Sequence, residues 1–285
     1  MPATRETPNI EIRDIDSGAE MHAAEALQRE VWGIPDLDVV PLSHLVAAKA
    51  AGGVLLGAFD YESLVGFVYG FVGYEHGQMS HHSHMLAVRP AYRNFNLGYK
   101  LKLAQRERVL AQGITLMTWT FDPLQSLNAY FNLNKLGVAS DRYLINFYGE
   151  DASSFLHRNG TDRLWVTWLL ESRRVSERLD GMDVKLELER PIPLVQLGID
   201  EAPRRGNLVE GLSHEHALIE IPTDIDALQQ RDVEMAFAWR EATRWAFTEA
   251  LSAGYLVVDF FRPSRGERRP GIYLLSKGKR LADFG

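Results

Sequence analysis

The sequence predicts a mixed α/β (α+β) layer fold, with helices flanking a central sheet and a C-terminal strand–helix–strand extension. Three observations predict it. Short apolar runs of strand length, separated by turn residues, cluster in the first ninety positions. Two amphipathic segments then alternate with β-branched and aromatic runs, the pattern of helices crossing over a sheet. The last seventy residues repeat a strand–helix–strand theme.

Ile10 to Arg13 alternates as a first strand. Ser17 to Trp32 places Met21, Ala24, Leu27, Gln28 and Val31 at helical spacings behind an Asp16 or Ser17 cap. Residues 33–41, with two prolines and several aspartates, are expected to be irregular, and Leu42 to Ala51 forms a short helix beside a binding cleft. Gly53 to Phe59 and Leu64 to Val72 read as a hairpin, and His81 to Val88 as the next strand. Gly98 to Ala111 is a helix stopped by Gln112-Gly113, and Ile114 to Phe121 a buried strand broken by Asp122-Pro123. Leu124 to Leu136 is a helix closed by Gly137; strands Tyr143 to Tyr148 and Leu164 to Leu170 follow. Glu171 to Gly181 is read as a linker and Glu187 to Asn207 as extended chain with loops. A strand from His216, one long helix from Asp224 or Asp226 to about Ala253, and strands Tyr255 to Phe261 and Gly271 to Leu275 complete the chain. Between the last two strands lies an arginine-rich turn, with Arg262, Arg265, Arg268 and Arg269.

At 285 residues and 46% hydrophobic, the chain can bury one large core or two modest ones. Two domains are expected, 1–170 and 171–285, the second serving as an α/β extension or a dimerising part. A net charge of −7 weighs against nonspecific nucleic-acid binding. The lack of cysteine excludes disulfides and thiol nucleophiles. No apolar run is long enough to suggest a membrane span or a signal peptide, so a cytoplasmic protein without a membrane partner is expected.

The stretch from Met85 to Lys100 organises the functional reading. It is the end of a strand, a polar turn with Arg93, Asn94, Asn96 and Gly98, and the start of a helix. A helix mouth has four N–H groups without intrahelical partners and a positive dipole end, which suits a phosphate or diphosphate. Arg93 and Gly98 occupy the first and last positions of Arg/Gln-x-x-Gly-x-Gly/Ala, with Asn96 where the middle glycine is usual. On these residues the stretch resembles the acyl-CoA-binding motif of the GCN5-related N-acetyltransferase (GNAT) superfamily. The segment Ser126 to Val138, with Asn128, Ala129 and Gly137, resembles the helix that superfamily packs along pantetheine. Trp119 to Pro123 together with Asn132, Tyr143 and Trp239-Arg240 is similar to a larger, two-part subgroup of predicted acetyltransferases.

The resemblance implies a GNAT-like splayed sheet and an N-acyltransferase that uses acetyl-CoA or succinyl-CoA on a small amine such as an amino acid. It implies backbone pairing of Leu86, Ala87 and Val88 with the pantetheine arm, and a diphosphate held by Arg93, Asn94, Asn96, Leu97 and Gly98. Asn128 and Asn132, one helical turn apart, are candidates to face the cofactor or the substrate. Transfer to an amine also needs a base, and a histidine titrates near neutrality. His82 and His84 are the candidates, His82 near the place of a catalytic glutamate in some superfamily members. Strand alternation puts both on the face of Leu86 and Val88, with His81 opposite. A His-x-His metal site lacks a third ligand in the sequence, and no metal is expected. The superfamily's tyrosine acid falls on Leu133, which cannot protonate a thiolate; Tyr130, Tyr143 and Tyr148 are substitutes, Tyr143 first. Two other readings stay open: a CoA-binding protein without turnover, and a structural homodimer.

Overall fold

A computed structural model describes residues 8–149, 159–182, 193–263 and 269–284. The chain divides into two compact units, the first running to Met117 and the second starting at Thr118.

The first unit comprises β1 (Ile10–Asp14), α1 (Gly18–Trp32), α2 (Leu42–Ala50), β2 (Val54–Asp60), β3 (Ser63–Glu75), β4 (Gln78–Val88) and α3 (Leu97–Ala111). Its strands lie in the order β1-β2-β3-β4, each antiparallel to the next. A capping box starts α1: the Ser17 side chain accepts from the Glu20 amide, and the Glu20 carboxylate accepts from the Ser17 amide. These amide bonds, with the Arg13 ion pair, hold Glu20 down at about 2. Gly33 closes α1 in the left-handed conformation, its N–H bonding Arg29 O. Leu27 of α1 and Leu45 of α2 pack with Leu55, Phe59, Phe67, Tyr69 and Ala87 on one side of the sheet. Burying a side chain of that size stabilises by about 1.5–3 kcal/mol.

A β-bulge interrupts the β3–β4 ladder. Phe71 faces His82 and Gly70 faces Ser83, but Tyr69 faces Met85, so His84 is the extra residue. The bulge corrects the strand alternation expected from the sequence. Met85 and Ala87, not Leu86 and Val88, share the α1–α2 side with the rings that His82 and His84 touch. A Cβ built on Gly66 would meet Val88 and Leu101, and one on Gly98 would meet Leu86, which sets Leu86 and Val88 toward α3.

The second unit contains β5 (Leu116–Phe121, starting at the boundary), α4 (Ser126–Ala129), β6 (Ala139–Leu144), β7 (Arg163–Leu169), α5 (Arg173–Leu179), β8 (Pro193–Leu197), β9 (Pro203–Arg205), α6 (Leu208–Gly211), β10 (His216–Ile221), α7 (Ile225–Arg231), α8 (Val233–Ser252), β11 (Tyr255–Phe261) and β12 (Gly271–Lys277). Its strand order is β5-β7-β6-β11-β12-β10-β8-β9, with β8 parallel to β10. The fold class is therefore mixed α+β.

Several boundaries differ from the sequence reading. The helix expected over 124–136 is one α-turn followed by a π turn over Tyr130–Lys135, which Gly137 leaves at φ 74°. The strand expected at Tyr143 is β6, which starts at Ala139 because Ala139 pairs with Thr167 of β7. The expected linker holds α5, capped by Ser172 on the Val175 amide. The long C-terminal helix is broken at Asp232, whose extended backbone (φ −152°) ends α7 while its side chain caps α8 at Met235 N. Of the arginine-rich turn, Arg265 and Arg268 lie outside the described residues.

Candidate functional site

The mouth of α3 is built by a tight turn. A 3-10 turn over Pro90–Phe95 leads to Asn96 at φ 58° and ψ 27°, a left-handed conformation that asparagine adopts more readily than most residues. Tyr92 fixes the turn by donating to Asp60 Oδ2 at 2.8 Å, and Arg89 pairs with Glu30 at 3.1 Å. The first bond of α3 runs from Lys100 N to Asn96 O, and the Asn96 side chain makes no cap. The Leu97 and Gly98 amides therefore precede the helical ladder. Leu97 is wholly buried and anchors the helix start.

Gly98 is not demanded by backbone conformation or by packing. It lies outside the left-handed region, and a Cβ there would meet only Leu86 Cδ2 at 3.7 Å, an ordinary contact. A glycine in a first helical turn costs up to about 1 kcal/mol relative to alanine. What it gives is an approach to the amides unobstructed by a side chain. Arg93 and Asn94 are exposed beside it, and Arg93 has no hydrogen bond or ion pair among the described residues.

The histidines of β4 divide between two sides. Toward α3, His81 is wholly buried in a polar chain with Ser83, Lys102 and Gln105. Lys102 Nζ donates to Ser83 Oγ at 2.7 Å, Ser83 Oγ donates to Gln105 Oε1 at 2.8 Å, and Gln105 Nε2 donates to His81 Nε2 at 3.3 Å. A neutral His81 then carries its hydrogen on Nδ1, which is buried without a partner. Burial pushes His81 down to about 3, with Lys102 and His82 adding to it, and burial also holds Lys102 well below the usual lysine range.

On the other side, His82 lies 5.4 Å from the Phe71 ring and 6.4 Å from His84, which in turn meets Tyr69 edge to face at 6.2 Å. Burial, then the neighbouring His84 and Lys102, lower His82 to about 4. His84 is lowered by burial and by the charge of His44. Both candidates are therefore neutral at pH 7. A base near 4 is a poor match for an ammonium group.

His44 joins this cluster from α2, its Nε2 lying 2.9 Å from the Tyr69 hydroxyl. The sequence reading placed its helix by a cleft but did not single out the residue. The available signal was one polar ring among the alanines and leucines of a short helix.

In the second unit, Tyr143 donates to Asp162 Oδ2 at 2.7 Å and stacks on Phe247 at 5.4 Å. Arg244 grips the same carboxylate through Nε and Nη2 at 2.8 and 3.0 Å, and the Asn146 amide donates to it. Burial and the Asp162 charge raise Tyr143 well above the usual phenol range. Asn128 is exposed, whereas Asn132 is 4% exposed and accepts from Trp119 Nε1 at 3.1 Å. Leu133 is wholly buried. Asp122, read as a strand terminator and cap, accepts from the Leu124 amide and also pairs with the buried Arg240 at 2.7 Å. The cofactor-turn residues, His82 and His84 thus belong to the first unit, and Tyr143, Asn128 and Asn132 to the second. Among the described residues, no three His, Asp or Glu side chains are grouped to hold a metal, and no helix is long and apolar enough to cross a membrane.

No family model and no curated protein matches the chain. Solved structures do resemble it over a little more than half its length. An aminoglycoside 6'-acetyltransferase type Ii is 20% identical, with 57% of this chain and 99% of that one covered at a TM-score of 0.45. The ribosomal-protein-S18-alanine N-acetyltransferase from Escherichia coli is 12% identical, covering 56% and 94% at a TM-score of 0.45. A GNAT family acetyltransferase from Elizabethkingia anophelis with acetyl-CoA bound is 14% identical, covering 56% and 98% at a TM-score of 0.44.

Proposed function

We propose that this protein is an acyl-CoA-dependent N-acyltransferase of the GNAT type. Its acceptor is a small amine such as an amino acid, and its donor is acetyl-CoA or succinyl-CoA. The observation that carries this reading is the open, uncapped mouth of α3. The Leu97 and Gly98 amides precede the helical ladder, Gly98 leaves their flank clear, and the exposed Arg93 stands beside them. Those are the provisions a diphosphate needs: N–H donors, a positive dipole end and an exposed cation. The motif Arg93-x-x-Asn96-x-Gly98 supports the same reading from the sequence.

In this scheme the amine attacks the thioester carbonyl directly. The chain's part is to hold the nucleotide end, to align the reactants and to accept the ammonium proton. Calorimetric titration with CoA tests the binding part: Arg93→Ala should weaken CoA binding about tenfold while leaving the melting temperature within about 1 °C. Equal affinity would remove Arg93 from the site. Following free thiol with acetyl-CoA or succinyl-CoA and pooled amino acids tests turnover.

A second reading, an acyl-CoA-binding protein without turnover, is favoured by two observations. Leu133 is buried where the superfamily places an acid, and the Tyr143 proton is committed to Asp162. CoA binding without thiol release across a wide amine panel would decide for it.

A further inference from the structure

The acyltransferase reading requires a group that takes the ammonium proton, and the inference drawn here rests on that reading. We propose that His44 of α2 is the proton acceptor and that Tyr69 is its positioning residue. Tyr69 is wholly buried in the core of the first unit, so its hydroxyl is a fixed point. That hydroxyl lies 2.9 Å from His44 Nε2, and the two rings meet edge to face at 6.0 Å and 84°. His44 itself is exposed, and its Nδ1 has no partner among the described residues. Tyr69 thus holds one nitrogen and leaves the other facing outward. With the ring hydrogen on Nε2, donating to the Tyr69 oxygen, Nδ1 presents a lone pair.

The proton balance is simple. One ammonium proton moves to His44 Nδ1, and the electron pair it leaves on nitrogen forms the new bond to the thioester carbon. The C–S bond then breaks with its electron pair on sulfur, the second N–H proton goes to that sulfur, and His44 releases its proton to solvent.

The competing histidines are poorly placed for this work. His81 is sealed on the α3 side against Gln105, and His82 is half-buried against Phe71. His84 is lowered by burial and by the charge of the neighbouring His44, which weakens it as a base. Other charged groups around α2 are committed. On α1, Glu25 accepts from His22 and from the Leu42 amide; on α2 itself, Lys49 bonds Asp16 and Ile15 O; on β2, Asp60 accepts from Tyr92.

The test compares the parent with His44→Gln, Tyr69→Phe and, as a control, His22→Gln, an exposed histidine paired with Glu25. In a parent that releases thiol, His44→Gln should lower kcat about 100-fold or more at pH 7 and leave the KM for acyl-CoA unchanged. Its residual rate should climb tenfold per pH unit as the amine loses its own proton. Tyr69→Phe should lower kcat about 3- to 10-fold and move the acidic limb of the profile, while His22→Gln matches the parent. A His44→Gln enzyme within twofold of the parent, with the same pH profile, overturns the proposal. A parent that binds CoA yet releases no thiol shows instead that the acyltransferase reading has failed, and takes the base role with it. Carbon NMR of the imidazoles gives an independent readout: neutral His44 should be the Nε2–H tautomer, and the Nδ1–H tautomer overturns the assignment.

Discussion

Strand β4 shows the same residue types to two different surroundings. On its α3 side, His81 and Ser83 are joined to Lys102 and Gln105 in a buried chain. On its α2 side, His82 and His84 belong to a cluster of rings with Phe71, Tyr69 and His44 that opens to solvent at His84 and His44. Three imidazoles within four residues of sequence are thus divided by one change of face. The sealed side costs the fold the desolvation of its polar groups; the open side brings His44 and His84 to solvent. Residue type alone does not assign chemistry here, and burial does.

The comparison is broken most severely at Gly70. A Cβ there would stand 2.3 Å from His81 Nε2 and 2.6 Å from His82 O, so the sealed His81 ring and the β4 backbone would have to move. Gly70→Ala should cost about 2–4 kcal/mol in urea unfolding. Acid tests the sealed side next. His81 is near 6.5 unfolded and about 3 folded, so between those values the unfolded chain binds the extra proton. Stability from a neutral His81 is full above pH 6.5 and is lost as pH falls toward 3. At pH 5 the loss should be on the order of 2 kcal/mol, and a melting series from pH 7 to pH 4.5 should show it flattened in His81→Gln.

Lys102 gives a smaller effect of the same kind. Burial lowers it well below the unfolded value of 10.5, so below that value the unfolded chain binds this proton more tightly than the folded one. Lys102→Met should therefore stabilise at pH 7 by about 1–2 kcal/mol, with the gain shrinking as pH approaches 10.5. The least change in stability is expected at Gly98. Gly98→Ala should leave the melting temperature level or slightly raised, while CoA affinity falls about tenfold. A large loss of stability there would mean that the glycine serves packing.

Much of the architecture was legible because it rests on local signals. The Ser17 cap, the Gly137 stop and the apolar runs of β2 and β3 each declare themselves within a few residues. What was missed depends on partners far along the chain. The break at Asp232 hides inside a continuous helical pattern, since aspartate only becomes a cap once its backbone turns extended. The π turn at Tyr130–Lys135 has the composition of an ordinary helix. In the candidate site, the positive φ of Asn96 was legible from residue type, but the pairing of His44 with Tyr69 spans 25 positions and no spacing rule announces it. Tyr143 was legible as a polar ring and not as the donor to Asp162, a contact fixed by the folding of β6 against β7.

The supernumerary residue at His84 has a consequence for reading relatives of this chain. Any alignment that carries β4 across without a one-position gap will swap inward and outward assignments for everything on one side of that point. A homologue lacking the insertion keeps the pairs Phe71–His82, Gly70–Ser83 and Tyr69–Met85, so it is the ungapped alignment, and not the missing residue, that turns the histidines inside out.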